Sequence, residues 1–155
     1  MVIRTHTGTV AGIGAVPVTV EVSITGSGLG LFLVGLPDNA VRESEQRIRS
    51  AFENSGYRMT SRKCVVNLAP ADLRKEGSGF DLPLAVALLC GFEYIQPVGL
   101  ERYMFVGEVG LSIFTGDGPY VEGTPGYNFL ADILSRFSFV LKKIEPKLSK
   151  DGVKV

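Results

Sequence analysis

The stretch VVNLAPADLRKEGSGFDLPLA, residues 65–85, decides the fold class of this chain. Its first apolar run ends at Pro70, a charged turn follows, and Gly77-Ser78-Gly79 opens a second apolar run with helical spacing. A strand, a charged glycine loop and a helix N-terminus in this order are typical of α/β proteins, which often place functional groups at such junctions. We therefore predict an α/β (α+β) fold with functional groups in or near this loop.

Residues upstream of this block have the pattern of β-strands. Apolar and polar side chains alternate from Val16 to Ile24, which indicates a strand with one buried face. Gly12 and Gly14 mark a turn before it, and the apolar run 31–34 predicts a central strand covered on both faces. The predicted strands are residues 7–13, 16–24, 31–34, 63–69 and 104–107.

Two helices are predicted around the strand at 63–69. The first spans residues 39–55, with Asp38 or Asn39 as its N-cap and its charged residues on a solvated outer face. The second, near 80–91, is apolar on almost every side and is therefore predicted to be buried. Further on, residues 130–141 have the spacing of an amphipathic helix, and residues 142–155 resemble a charged tail.

Composition limits the possible classes of protein. The chain has 155 residues, 45% of them hydrophobic, and a formal net charge of zero, which suggests one domain with a real core and names no partner. Cys64 and Cys90 are predicted to be buried free thiols in a reducing compartment, and one histidine does not support a His-based zinc site or a Ser-His-Asp triad. The longest uncharged apolar stretch is too short to span a membrane, so we expect a cytoplasmic protein with no membrane partner.

Three contiguous stretches resemble a known family: VGLPDNAVRES at 34–44, residues 66–82, and FVGE at 105–108. Residues 1–111 closely resemble the ChlI-like N-terminal domain of magnesium-chelatase-like AAA+ ATPases, the ComM/YifB group. The resemblance implies a ribosomal protein S5 domain 2-like fold, similar to the proteolytic domain of Lon. Residues 112–155 depart from the family pattern, so they either complete the fold or are the remnant of a truncated gene.

The resemblance also implies a function. Family members carry an AAA+ motor and are linked to DNA processing in natural transformation, so DNA, the AAA+ domain and neighbouring subunits of a hexamer are the expected partners. This chain has no glycine-rich loop ending in Gly-Lys-Ser/Thr, and Gly26 to Gly30 has the pattern of a hairpin turn instead. We expect a non-catalytic accessory domain that needs no cofactor, because ATP and Mg²⁺ would bind only in the motor.

The glycine loop holds the candidate site residues. By resemblance to Lon, Ser78 and Lys75 are weak candidates for a Ser/Lys peptidase pair, but the register places Gly79 at the nucleophile position, and Ser78 suits a helix N-cap. Arg74, Lys75, Gly77 and Ser78 are the candidates for binding an anion, either a DNA phosphate or an acidic group of a partner domain. A loop without a ligand, a Lon-like peptidase and a degenerate product without activity remain alternatives.

Overall fold

A computed structural model describes residues 1–110 of the chain. It contains four strands, two α-helices and two short 3₁₀ turns. The strands are β1 (Val2–Ala11), β2 (Gly14–Thr25), β3 (Leu31–Val34) and β4 (Lys63–Ala69). The helices are α1 (Asn39–Asn54) and α2 (Asp81–Gly91), and the 3₁₀ turns are Ser78–Phe80 and Leu100–Arg102. The predicted mixed α/β class is therefore confirmed.

The strands form one mixed sheet in the order β1-β2-β4-β3. β1 and β2 are an antiparallel hairpin, and β4 pairs antiparallel with β2, with Val66 opposite Val22. β3 runs parallel to β4, so α1 is the crossover that returns the chain to the same end of the sheet. This connection places the β3–α1 loop beside the loop that follows β4.

One face of the sheet carries the core. Alternate side chains of β2 and β4 are buried there, as their period-two pattern predicts, and α2 packs on β1 and β2. Every residue of α2 is buried, which agrees with its apolar sequence. α1 buries a stripe of side chains, and Asp38 caps it by accepting from the Val41 amide at 2.8 Å. Cys64 and Cys90 are buried free thiols.

Within residues 1–110 the strand at 31–34 is neither central nor covered on both faces, contrary to the prediction. Among the described residues β3 is at the edge of the sheet, and Phe32 and Val34 are 49% and 46% exposed. Leu31 and Leu33 are only half-buried on the other face of β3. An apolar run therefore does not by itself distinguish a central strand from an edge strand that leaves apolar side chains exposed.

The predicted strand at 104–107 is reduced to a single parallel bridge between Met104 and His6. Beyond it, residues 105–109 run along the start of α2, because the Gly107 carbonyl accepts from the Leu82 amide at 3.0 Å. No helix within residues 1–110 has the length and apolarity needed to cross a membrane. The predicted helix at 130–141 and the tail at 142–155 lie outside the described residues, as does the divergent segment from 112.

Candidate functional site

Two loops meet at the end of the sheet where β3 and β4 finish. The Lys75 amide donates to the Leu36 carbonyl at 3.1 Å, and the Asp38 amide donates to the Lys75 carbonyl at 2.9 Å. These bonds form a parallel bridge between Pro37 and Lys75 that continues the β3–β4 pairing beyond the strands. The loop of residues 35–38 and the loop of residues 70–77 are therefore held side by side by main-chain hydrogen bonds.

Asp38 joins the same two loops through its side chain. Its Oδ1 accepts from the Val41 amide in the first turn of α1, and its Oδ2 accepts from the Gly77 amide at 3.1 Å. The carboxylate therefore occupies helix amides that would otherwise be available to an external anion. Because Gly77 donates to Asp38, its amide is not the open anion contact that the sequence suggested.

An open groove of about 580 Å³ lies over these loops. Two side chains of the lining carry positive charge: Arg42 from α1, and Arg74, whose side chain is 72% exposed. Leu36 has a left-handed backbone with φ 55°, which is rare for a bulky residue, and its side chain is 55% exposed. The full lining is Leu36, Pro37, Asp38, Asn39, Arg42 and Arg74.

The two arginines are held differently. Arg42 Nε donates to the Pro37 carbonyl at 3.3 Å, so its guanidinium lies against the 35–38 loop. Arg74 Nε forms an exposed ion pair with Glu76 at 3.0 Å, an interaction that solvent weakens to a small net contribution. Their charges line the same groove although 32 positions separate them in the chain. We call this feature the Arg42–Arg74 groove.

Lys75 does not project from the turn as the sequence suggested. Its side chain is fully buried, and its Nζ donates to the Pro70 carbonyl at the start of the same loop. Burial lowers the pKa of the Lys75 ammonium, and the nearby Asp72 carboxylate opposes that shift. A cation in this position holds the loop through its hydrogen bond to Pro70 and does not line the groove.

Ser78 neither caps a helix nor pairs with a basic side chain as a nucleophile would. Its hydroxyl donates to Glu108 Oε2 at 2.8 Å, and no side-chain cap is formed at the start of the 3₁₀ turn or of α2. Lys75 Nζ instead donates to Pro70, so the arrangement does not pair the hydroxyl with the amine that a Ser/Lys peptidase needs. Gly79, at the nucleophile position of the Lon register, has no side chain.

Asp81 is the centre of a buried polar cluster beside the loops. Its Oδ2 accepts from Arg47 Nε at 2.6 Å and from the Val109 amide at 3.2 Å, and its Oδ1 accepts from Arg47 Nη2 at 2.9 Å. Ser44 also donates to Oδ1. The hydrogen bond to Asp81 raises the pKa of the Arg47 guanidinium above its ordinary value. The prediction that Arg47 lies on a solvated outer face was wrong, because this arginine ties α1 to α2.

Arg42 and Leu36 were not predicted to be groove residues. Both lie in the block at 34–44 that carried the family resemblance, so the signal was present. Arg42 was assigned to a solvated helix face, and only the pairing of the two loops brings it to the same groove as Arg74.

The sequence matches a known protein family. Residues 20–115 match the model of the family described as subunit ChlI of Mg-chelatase. The chain belongs to this ChlI family. Its relatives are of the ComM/YifB type, as the three matching stretches implied.

Three relatives show how much of such a protein this chain represents. It is 49% identical over 121 residues to a protein named YifB from Salmonella typhimurium and 48% identical over 121 residues to YifB from Escherichia coli; each match covers 78% of this chain and 23% of the relative. It is also 41% identical over 101 residues to competence protein ComM from Haemophilus influenzae, covering 65% of this chain and 20% of that protein. The chain therefore spans less than a quarter of the length of the relatives it matches.

Proposed function

We propose that this chain is the non-catalytic, DNA-contacting N-terminal module of a ComM/YifB-type ATPase, and that it acts in the cytoplasm. The Arg42–Arg74 groove carries this proposal, because two arginines from separate elements line one open groove. Arginine suits phosphate well, since its planar guanidinium can donate two parallel hydrogen bonds. Membership of the ChlI family supports an S5 domain 2-like fold related to that of the Lon proteolytic domain. It also supports a role in DNA processing such as natural transformation.

The alternative of a Lon-like peptidase is not favoured by the arrangement. Ser78 donates to Glu108 and Lys75 donates to Pro70, so neither is activated by the other. Docking of the groove on an acidic surface of an AAA+ domain or a neighbouring subunit is the remaining use of the same charges. We favour DNA because the groove is open and both of its charged arginine side chains suit phosphate oxygens.

The test is binding of a fluorescein-labelled 20-nucleotide single strand, and of the corresponding duplex, to the whole chain by fluorescence anisotropy. We expect the double variant Arg42→Ala/Arg74→Ala to bind about tenfold or more weakly at low salt. Its plot of log affinity against log salt should also be shallower by about 1.4 for the single strand, because each lost phosphate contact removes about 0.7 from the slope.

A matched control has the same loss of charge outside the groove. Arg4→Ala/Arg102→Ala removes two arginines whose side chains are 60% and 66% exposed. This control should keep most of the affinity and the slope. Equal losses in both double variants would show a general charge effect and not a groove, and no binding by the unmodified chain at low salt would leave docking on a protein partner as the use of the groove.

A further inference from the structure

Two charged side chains within residues 1–110 are wholly buried, Lys75 and Asp81. Asp81 is neutralised by Arg47 and receives hydrogen bonds from Ser44 and the Val109 amide. Lys75 is different, because the acceptor of its Nζ is a main-chain carbonyl, that of Pro70. Burying an ammonium that donates to a carbonyl and not to a carboxylate costs free energy, and the nearby Asp72 carboxylate offsets only part of that cost. A buried lysine of this kind therefore calls for an explanation.

The hydrogen bonds of Lys75 connect three parts of the site. Its Nζ donates to Pro70, its amide donates to Leu36, and its carbonyl accepts from the Asp38 amide. One residue thus joins the beginning of the 70–77 loop, the end of that loop and the 35–38 loop. Removing the side-chain donor would release Pro70 and leave the main-chain bonds to hold the loops alone.

The same connections determine where the two groove arginines lie. Arg74 precedes Lys75 in the chain, and Arg42 is in the first turns of α1, whose N-cap Asp38 is bonded to Lys75. We propose that Lys75 is a positioning residue: it holds Arg42 and Arg74 at the separation that binds neighbouring phosphates, without touching the DNA itself. This inference rests on the proposed function of the groove.

A pair of nearly isosteric substitutions separates positioning from simple packing. Lys75→Gln keeps a terminal N–H donor for Pro70, whereas Lys75→Met has a similar shape without a donor. If Lys75 only filled space, methionine would be at least as good as glutamine in a buried site. If the hydrogen bond positions the loop, glutamine should rescue binding and methionine should not. Thermal unfolding of both variants establishes that they are folded.

The binding arm uses the labelled 20-nucleotide single strand and the whole chain. We expect Lys75→Met to bind about fivefold more weakly than the unmodified chain and Lys75→Gln to bind within about twofold of it, the size of effect of one hydrogen bond. Both should keep the salt slope of the unmodified chain, because Lys75 contacts no phosphate. A slope reduced by about 0.7 in both variants would show direct phosphate contact and overturn the positioning role, as would equal affinity of the two variants.

Amide hydrogen exchange tests the same idea without relying on DNA affinity. The amides of Asp38, Lys75 and Gly77 should exchange faster in Lys75→Met than in Lys75→Gln, and equal rates would overturn the proposal. Should neither variant fold, the unmodified chain decides: the oligonucleotide should slow exchange of these amides at least about threefold, and unchanged exchange would overturn it. Lack of any DNA binding would reject the proposed function, while the exchange rates of the variants would still decide whether Lys75 holds the loops.

Discussion

Asp81 and Arg47 form a buried ion pair that connects the two helices. The Asp81 side chain is fully buried, and that of Arg47 is 21% exposed. Two guanidinium nitrogens of Arg47 donate to the carboxylate, a geometry that charge-assisted hydrogen bonds favour. In such a pair the loss of either partner leaves the other charge buried without compensation.

We therefore expect Asp81→Asn to lower the free energy of unfolding by about 3 kcal/mol, because Arg47 loses the buried carboxylate that accepts two of its hydrogen bonds, and exposed Glu43 compensates little. Urea denaturation at pH 7 measures this change. Glu43→Ala is the matched control, since Glu43 is 71% exposed and lies 3.7 Å from the other side of the same guanidinium. That substitution should cost less than about 0.5 kcal/mol. Similar losses in the two variants would contradict the assignment of the buried pair.

At the scale of single residues, the sequence predicted which side chains carry charge but not which of them are buried. Asp81 lies within the predicted helix near 80–91, but its partner was not predicted, because Arg47 has the same residue type and helical spacing as its solvated neighbours. Lys75 was predicted to bind an anion because it follows Arg74 in the charged loop before a helix start. Whether a cation is buried depends on which carbonyl or carboxylate the fold brings to it, and local sequence contains no such information.

At the scale of elements, β3 and β4 approach so closely beyond their pairing that one position excludes a side chain. Gly35 has φ 100°, and a Cβ there would collide with the carbonyl of Leu68. The left-handed backbone and the close approach both require glycine at this position. The contact fixes the exit of β3, and thereby the 35–38 loop that lines the groove.

Gly35→Ala should lower the free energy of unfolding by about 3 kcal/mol or more, because it combines backbone strain with a clash against main chain. Gly12→Ala is the control, since Gly12 also has positive φ, 63°, but a Cβ there would meet nothing within 4 Å. The control should cost about 1 kcal/mol. Thermal and urea unfolding of both variants would measure the difference, and equal costs would argue against the close approach at Leu68.

Local patterns predicted most elements well. Helices were predicted at 39–55 and 80–91 and lie at Asn39–Asn54 and Asp81–Gly91, and Asp38 is the N-cap of the first. Local patterns gave wrong predictions where pairing with other strands determines the structure. Among the described residues β3 is an edge strand, and residues 104–107 form one bridge. The order of strands in a sheet is set by pairing between residues far apart in the chain, and the periodicity of a single strand does not predict that order.

At the scale of the whole molecule, the buried thiols make stability depend on alkaline pH. Burial raises the pKa of Cys90 to about 12, whereas an unfolded cysteine ionises near pH 8.5–9. The folded state keeps the proton that the unfolded state loses. The contribution of Cys90 to the free energy of unfolding is therefore complete below about pH 9 and is lost as the pH rises towards 12.

Between pH 8 and pH 10 the unmodified chain should therefore lose about 1.4 kcal/mol more stability than Cys90→Ala. The comparison isolates Cys90, because every other titratable group is common to both proteins. Urea denaturation under reducing conditions at the two pH values measures it. The same loss in both proteins would show that Cys90 ionises alike in the folded and unfolded states.

The sequence by itself determined the α/β class, the buried helix, the capped helix and the membership of the ChlI family. These follow from periodicity, capping residues and contiguous motifs, which are properties of neighbours along the chain. The tertiary structure alone decided that Arg42 and Arg74 share a groove, that Lys75 is buried, and that Arg47 pairs with Asp81. The physical reason is that burial and charge pairing depend on contacts between residues far apart in the chain. These contacts form only when the chain crosses over through α1 and β4 pairs beside β3.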